Sequence, residues 1–219
     1  MEIIKSVVIL IIFFILSFIL VVSLGLCLVS DKPKIHTHIK KYKFKVGDIM
    51  VWGNPGIIGS CISGFSLSSW THPAMIYSGS GTKPEDMHVI DLTPKGLRKM
   101  KLSEWIRRAG GNRFGVIPYI GPKPFPEQRL IEEIENLEGK VTYEKLGPRW
   151  IKYFGPLEHD DPESVSSEMV CSEYINHLLQ RIGVQKKIWT PASFCPGDIA
   201  SRRFPVEDGH NYGECMGFC

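Results

Sequence analysis

The sequence predicts an α+β fold, an antiparallel sheet packed on helices with one transmembrane helix in front. Three observations carry this. Val7 to Val29 is an unbroken apolar run. Behind it, short apolar segments are separated by turns rich in Gly, Pro and Asp, the pattern of short strands. Residues 124–139 and 167–183 repeat apolar side chains at helical spacing. Short strands gathered around two or three helices, with no regular strand–helix alternation, give the α+β class.

The apolar run reads VVILIIFFILSFILVVSLGLCLV, with no charge and only Ser17 and Ser23 clearly polar. At a rise of about 1.5 Å per residue it spans a hydrocarbon core of about 30 Å with some tilt. A cleaved secretory signal has a shorter apolar core and small residues at its exit, where this chain has Leu24, Leu26 and Leu28. Cys27 invites a lipoprotein reading, but Leu26 stands where a small residue is wanted. An anchor over residues 1–30 is expected, then a basic tether over 31–43 and one domain over 44–219.

Only Lys5 precedes the span, whereas Lys32, Lys34, Lys40, Lys41, Lys43 and Lys45 follow it. Basic residues beside a span favour the cytoplasmic side, so the domain is expected to face the cytosol or the interior of a particle that buds from such a membrane. The bland alternative is a merely solvated linker. The lysines also lie within reach of anionic headgroups, which makes membrane lipid an expected partner. Lys plus Arg number 26 against 23 Asp plus Glu. With the juxtamembrane surplus set aside the domain is near neutral, and no nucleic-acid partner is expected.

Six cysteines form no C-x-x-C pair. Five of them follow the span, an odd number and a poor disulfide framework; facing the cytosol they are expected as thiols.

Along the chain, KFKVGDIMVWG reads as a strand started by a Gly-Asp turn. Residues 54–71 read as a loop with one short helical or buried turn. Ala74 to Tyr77 and His88 to Leu92 read as strands, joined by a turn near residue 82. Residues 94–98 read as a turn, and a helix follows from Ser103, stopped by Gly110. FGVIPYI is a further strand. Leu130, Ile131, Ile134 and Leu137 mark the first amphipathic helix. The segment 141–163 reads as irregular. The second helix, SEMVCSEYINHLLQRIG, has Ser166 or Ser167 as its cap and Gly183 at its end, and the tail from Trp189 reads as loop with a short turn at PGDIA.

Cys171 is the first candidate for chemistry. It stands in the opening turns of the second helix, where unpaired N–H groups and the helix dipole favour an anion. The bland reading is a small buried hydrophobe. A thiol nucleophile needs an imidazole base and a third group to orient it. His72 at the start of one strand and Asp91 on the next meet that need if the two strands pair as a hairpin. Asp91 interrupts an otherwise apolar VIDL run. A register slip of one residue would turn one side chain away. His88 and His177 are competitors, the latter six positions beyond Cys171 and on another side of the helix. His36 with His38, and Cys195, His210, Cys215 and Cys219 as a loose zinc cluster, are weaker metal readings.

The order GDIMVW, THPAMIYSG, VIDL and then CSEY at a helix start resembles the circularly permuted papain-like proteins of the NlpC superfamily. That superfamily holds the YiiX-like group, a related poxvirus group and, further off, the lecithin:retinol acyltransferase group. The resemblance covers residues 45 to about 200. It implies a permuted papain-like fold and the catalytic set Cys171, His72 and Asp91, with Gly47 and Asp48 at the start of the first core strand and PGDI at 196–199 as a closing motif. It implies a thiol hydrolase or acyltransferase working through an acyl-enzyme on a lipid, peptide or protein acyl substrate, with no metal or other cofactor. Pro73 and Ala74 depart from the pattern after the histidine, and Asp91 is shorter than the glutamate found there in the YiiX-like group. The alternative is a non-catalytic structural or binding protein of a membrane or virion that retains the fold.

Overall fold

An apolar helix, α1 (Glu2–Ser30), opens the chain. The computed structural model describes residues 2–30, 41–54, 56–109, 114–144, 168–187 and 195–218. Ser6–Cys27 within α1 is long and apolar enough to cross a membrane, consistent with a single spanning segment. Residues 31–40 of the expected tether, Ser166 and Ser167, and most of the segment expected to be irregular lie outside the described residues.

Six strands form one antiparallel sheet: β1 (Ile49–Trp52), β2 (His72–Ser78), β3 (His88–Thr93), β4 (Gly96–Lys101), β5 (Phe114–Ile117) and β8 (Met216–Phe218). Their order is β4-β3-β2-β1-β5-β8. A parallel pair, β6 (Thr142–Tyr143) with β7 (Glu168–Met169), stands apart. The helices are α2 (Ile57–Ser66), α3 (Leu102–Arg108), α4 (Glu127–Leu137), α5 (Cys171–Arg181) and α6 (Pro196–Ala200). The α+β class expected from the sequence holds.

The sheet is buried on both faces because its strands alternate between two apolar sets. Ile49, Val51, Met75, Ile90 and Leu92 pack with Leu130 and Ile134 of α4 and with Tyr174 and Leu178 of α5. Met50, Ala74, Ile76 and Val89 pack on the other side with Leu102 and Trp105 of α3. The Gly-Asp turn before β1 is built as its residues demand. Gly47 has φ +90, where only glycine is at ease, and a Cβ there would strike the Phe125 ring. Asp48 is buried and accepts hydrogen bonds from the Tyr119 N–H (2.9 Å), the Lys45 N–H (3.1 Å) and the Tyr42 hydroxyl (2.9 Å).

Four elements differ from expectation. Residues 57–66 form a ten-residue helix rather than a single turn, because α1 supplies a second surface for their apolar side chains. Residues 96–101 are a strand, since the 93–96 turn is tight enough to return the chain directly onto β3. Met216–Phe218 adds a short edge strand beside β5. The second amphipathic helix begins only at Cys171, after β7 and the extended Val170. Cys171 is therefore the first residue of the helix.

Candidate functional site

The β1–β2 pairing sets His72 opposite Trp52, at the start of β2. The β2–β3 ladder is antiparallel, as the expected hairpin requires, and pairs Met75 with Ile90 and Ile76 with Val89. It does not continue past Met75 to the site end of the strand, where Pro73 has no N–H to donate. His72 and Asp91 nevertheless meet through their side chains.

His72 Nε2 and Asp91 Oδ2 are 2.9 Å apart. Asp91 is fully buried, while the His72 side chain is 14% exposed. The Cys171 sulfur lies against the same imidazole, near enough to act on it as a hydrogen-bond partner and by its charge. The structure thus brings together all three residues singled out in the sequence. His88 is not part of the group: its Nδ1 faces the Ser78 hydroxyl at 3.3 Å. Neither is His177, whose buried ring stands 3.8 Å from Glu133.

Three side chains missed in the sequence complete the surroundings of Asp91 and His72. Arg98 on β4 is paired in register with Asp91. It donates from Nε to Oδ1 at 2.9 Å and from Nη2 to Oδ2 at 2.6 Å, a two-pronged pair. The Trp105 indole N–H of α3 reaches Oδ2 at 3.3 Å. Trp52 stands edge-on to the His72 ring at 5.9 Å between centroids. The Pro94–Gly96 turn straight after the β3 run was the available signal for a returning strand β4, and hence for Arg98. Tyr143 is a fourth: β6 pairs it with Met169, two residues before Cys171.

The electrostatics follow from these contacts. Burial works against the charged form of His72, but the Cys171 charge and the hydrogen bond to Asp91 outweigh it and raise its pKa to about 9. Burial also opposes ionisation of Asp91. The hydrogen bonds and charges of His72 and Arg98 prevail there and hold the carboxyl below its ordinary range. Burial, and then the Cys171 charge, push the Tyr143 phenol up. Burial pushes Cys195 up to about 11 and Cys215 up to about 12, and raises Cys61 as well.

No family model matches the chain, and no curated protein matches it in sequence. A solved structure does. It is the crystal structure of metalloprotein yiiX from Escherichia coli O157:H7, DUF1105, at 15% identity, over 77% of this chain and 96% of that one, with a TM-score of 0.46. The likeness is one of fold, to the YiiX-like group that the residue order resembles.

This corrects the function expected from the sequence. The thiol hydrolase or acyltransferase with an acyl-enzyme was carried over from the family resemblance. The solved structure that matches is described as a metalloprotein, and a shared backbone course does not transmit a reaction. Acyl-enzyme chemistry is therefore withdrawn as the function of this chain. The described residues do not fit a metal at this site. Among the described residues no three His, Cys, Asp or Glu side chains are grouped to hold an ion. The carboxylate bonded to His72 is already paired with the Arg98 guanidinium, whose charge opposes a cation there. Within the weaker zinc reading, His210 is bonded to the Tyr119 hydroxyl at 2.6 Å, and Cys219 lies outside the described residues, as do His36 and His38.

Proposed function

We propose that Cys171, His72 and Asp91 are the working residues of a membrane-held, enzyme-like domain over residues 44–219. The observation that carries the reading is the imidazole itself. It has a carboxylate on one nitrogen and a sulfur against the ring, and its proton is held up to about pH 9. Asp91 in turn is fixed by Arg98 and Trp105, so the ring is held in one orientation. The start of α5 puts the positive end of its dipole on the sulfur side. The lysines after the span favour a cytosolic side for the domain.

A small alkylating probe tests this. Iodoacetamide forms a sulfur–carbon bond and releases iodide, and it reacts with the thiolate alone. In the full-length protein in vesicles, Cys171 is expected to be alkylated faster than Cys61 or Cys195 near neutral pH. His72→Gln should slow the alkylation of Cys171. Equal rates at Cys171 and Cys61, or no effect of His72→Gln, would defeat the proposal.

A further inference from the structure

The helix α2 leaves the sheet at Trp52 and returns to it at His72, two residues that face each other in the β1–β2 ladder. Whatever α2 touches is therefore brought to the end of the sheet where His72 lies. It touches α1 along its length.

The contact is a close one between small residues. A Cβ on Gly25 would overlap the Ser60 carbonyl, and one on Gly64 would overlap the Val21 carbonyl and stand 2.9 Å from Val21 Cγ1. Small residues that let two backbones touch are what joins helices within a bilayer. The two contacts also fix the direction. Four residues forward on α2 correspond to four residues back on α1, so the helices run antiparallel. The Leu67 end of α2 then points down the anchor, and the Ile57 end lies beside its C-terminal end. All of these α1 residues fall within the stretch able to cross a membrane.

The outer side of α2 is suited to the same surroundings. No Asp, Glu, Lys or Arg occurs between Asp48 and Lys83. Ile57 is 73% exposed and Leu67 is 71% exposed. Leu67 ends the helix at φ +49, in the left-handed region where glycine is the favoured residue. A large apolar side chain is kept there against its backbone preference, and it finds no protein surface to cover it.

We propose that α2 is a second membrane-contacting helix, packed on α1 and dipping its Leu67 end into the acyl-chain region, so that the His72 end of the sheet is held at the lipid surface. The partner is the hydrocarbon of the bilayer. At 29 residues α1 is about 43 Å long, some 13 Å more than the core needs. Its C-terminal turns therefore stand at the headgroups, and α2 straddles the same boundary.

The test uses the full chain in vesicles containing a phospholipid with a photoactivatable diazirine on its acyl chain. Adducts are expected on the peptide covering residues 57–67 as well as on α1, and Leu67→Glu should reduce the former several-fold without changing the latter. The Leu67 side chain is 71% exposed, so the substitution leaves the fold in place. Adducts confined to α1, or labelling unmoved by Leu67→Glu, would overturn the proposal. The readout does not involve Cys171 and stands apart from the proposed role of Cys171, His72 and Asp91.

Discussion

Asp91 receives hydrogen bonds from three side chains drawn from three elements, and it has no exposure to water. Its charge is what makes two nearby cations tolerable in a site closed in by Trp52 and Trp105. Asp91→Asn removes that charge and leaves the Arg98 guanidinium and the imidazole without their counter-ion. Breaking a buried pair in this way costs about 3 kcal/mol or more, so the urea midpoint should fall substantially. His72 should also titrate at lower pH, because the charge and hydrogen bond of Asp91 both raise it. Cys171→Ala separates the other influence. It replaces one small side chain by another, so the fold should survive. The His72 titration, followed by NMR of the imidazole, should again move down, since the Cys171 charge is the largest effect raising it. An unmoved His72 in Cys171→Ala would mean that the sulfur does not act on the ring.

At the scale of elements, the sequence carried the sheet strands that alternate cleanly and lost those that depend on partners. The β2–β3 hairpin was legible because HPAMIYS and HVIDLT are apolar runs bounded by turn residues. The strand β4 was hidden because GLRKMK is mostly charged and sits on an edge, with one face turned to water. With β4 went Arg98, the strongest partner of Asp91. The helix α2 is expected only as a loop with one short helical or buried turn because its Gly and Ser residues are poor helix formers alone, and contact with α1 gives them a reason. The start of α5 was placed early because apolar residues before Cys171 belong to β7 rather than to the helix. The 93–96 turn offers a test of how much β4 contributes. Gly96 has φ +99 and open space where a Cβ would stand, so Gly96→Ala pays only in backbone strain. A loss of about 1 kcal/mol is expected, read as a lower urea midpoint with little change of slope. A neutral Gly96→Ala would mean that the turn has another conformation and that Arg98 is not held to Asp91 by it.

For the molecule as a whole, the order of motifs along the chain was enough to place Cys171, His72 and Asp91 together, because that order reflects topology. The reaction was not legible, because it was inherited from a resemblance and no residue in the chain names a substrate. What the whole molecule does commit to is a dependence on pH, and its sign follows from three buried groups. His72 has its pKa raised from 6.5 to about 9, so its stabilising effect is complete below about 6.5 and is lost as pH rises through about 9. Burial raises Asp48 from 3.8 to about 6 against the hydrogen bonds it accepts, so the fold is favoured while Asp48 is protonated and loses that advantage as pH rises through about 6. Asp91 is lowered, so its contribution is present above 3.8 and is lost as pH falls below it. Together they place maximum stability on the acidic side of neutral, with His72 and Asp48 each giving up on the order of 3 kcal/mol toward alkali. Urea midpoints of the detergent-held protein should therefore fall between pH 5 and pH 9. The part of the fall above pH 6.5 should flatten in His72→Gln, which has no proton to lose there. A midpoint that rises from pH 5 to pH 9, or an alkaline limb that His72→Gln leaves intact, would show that the imidazole is not held as a cation in the folded protein.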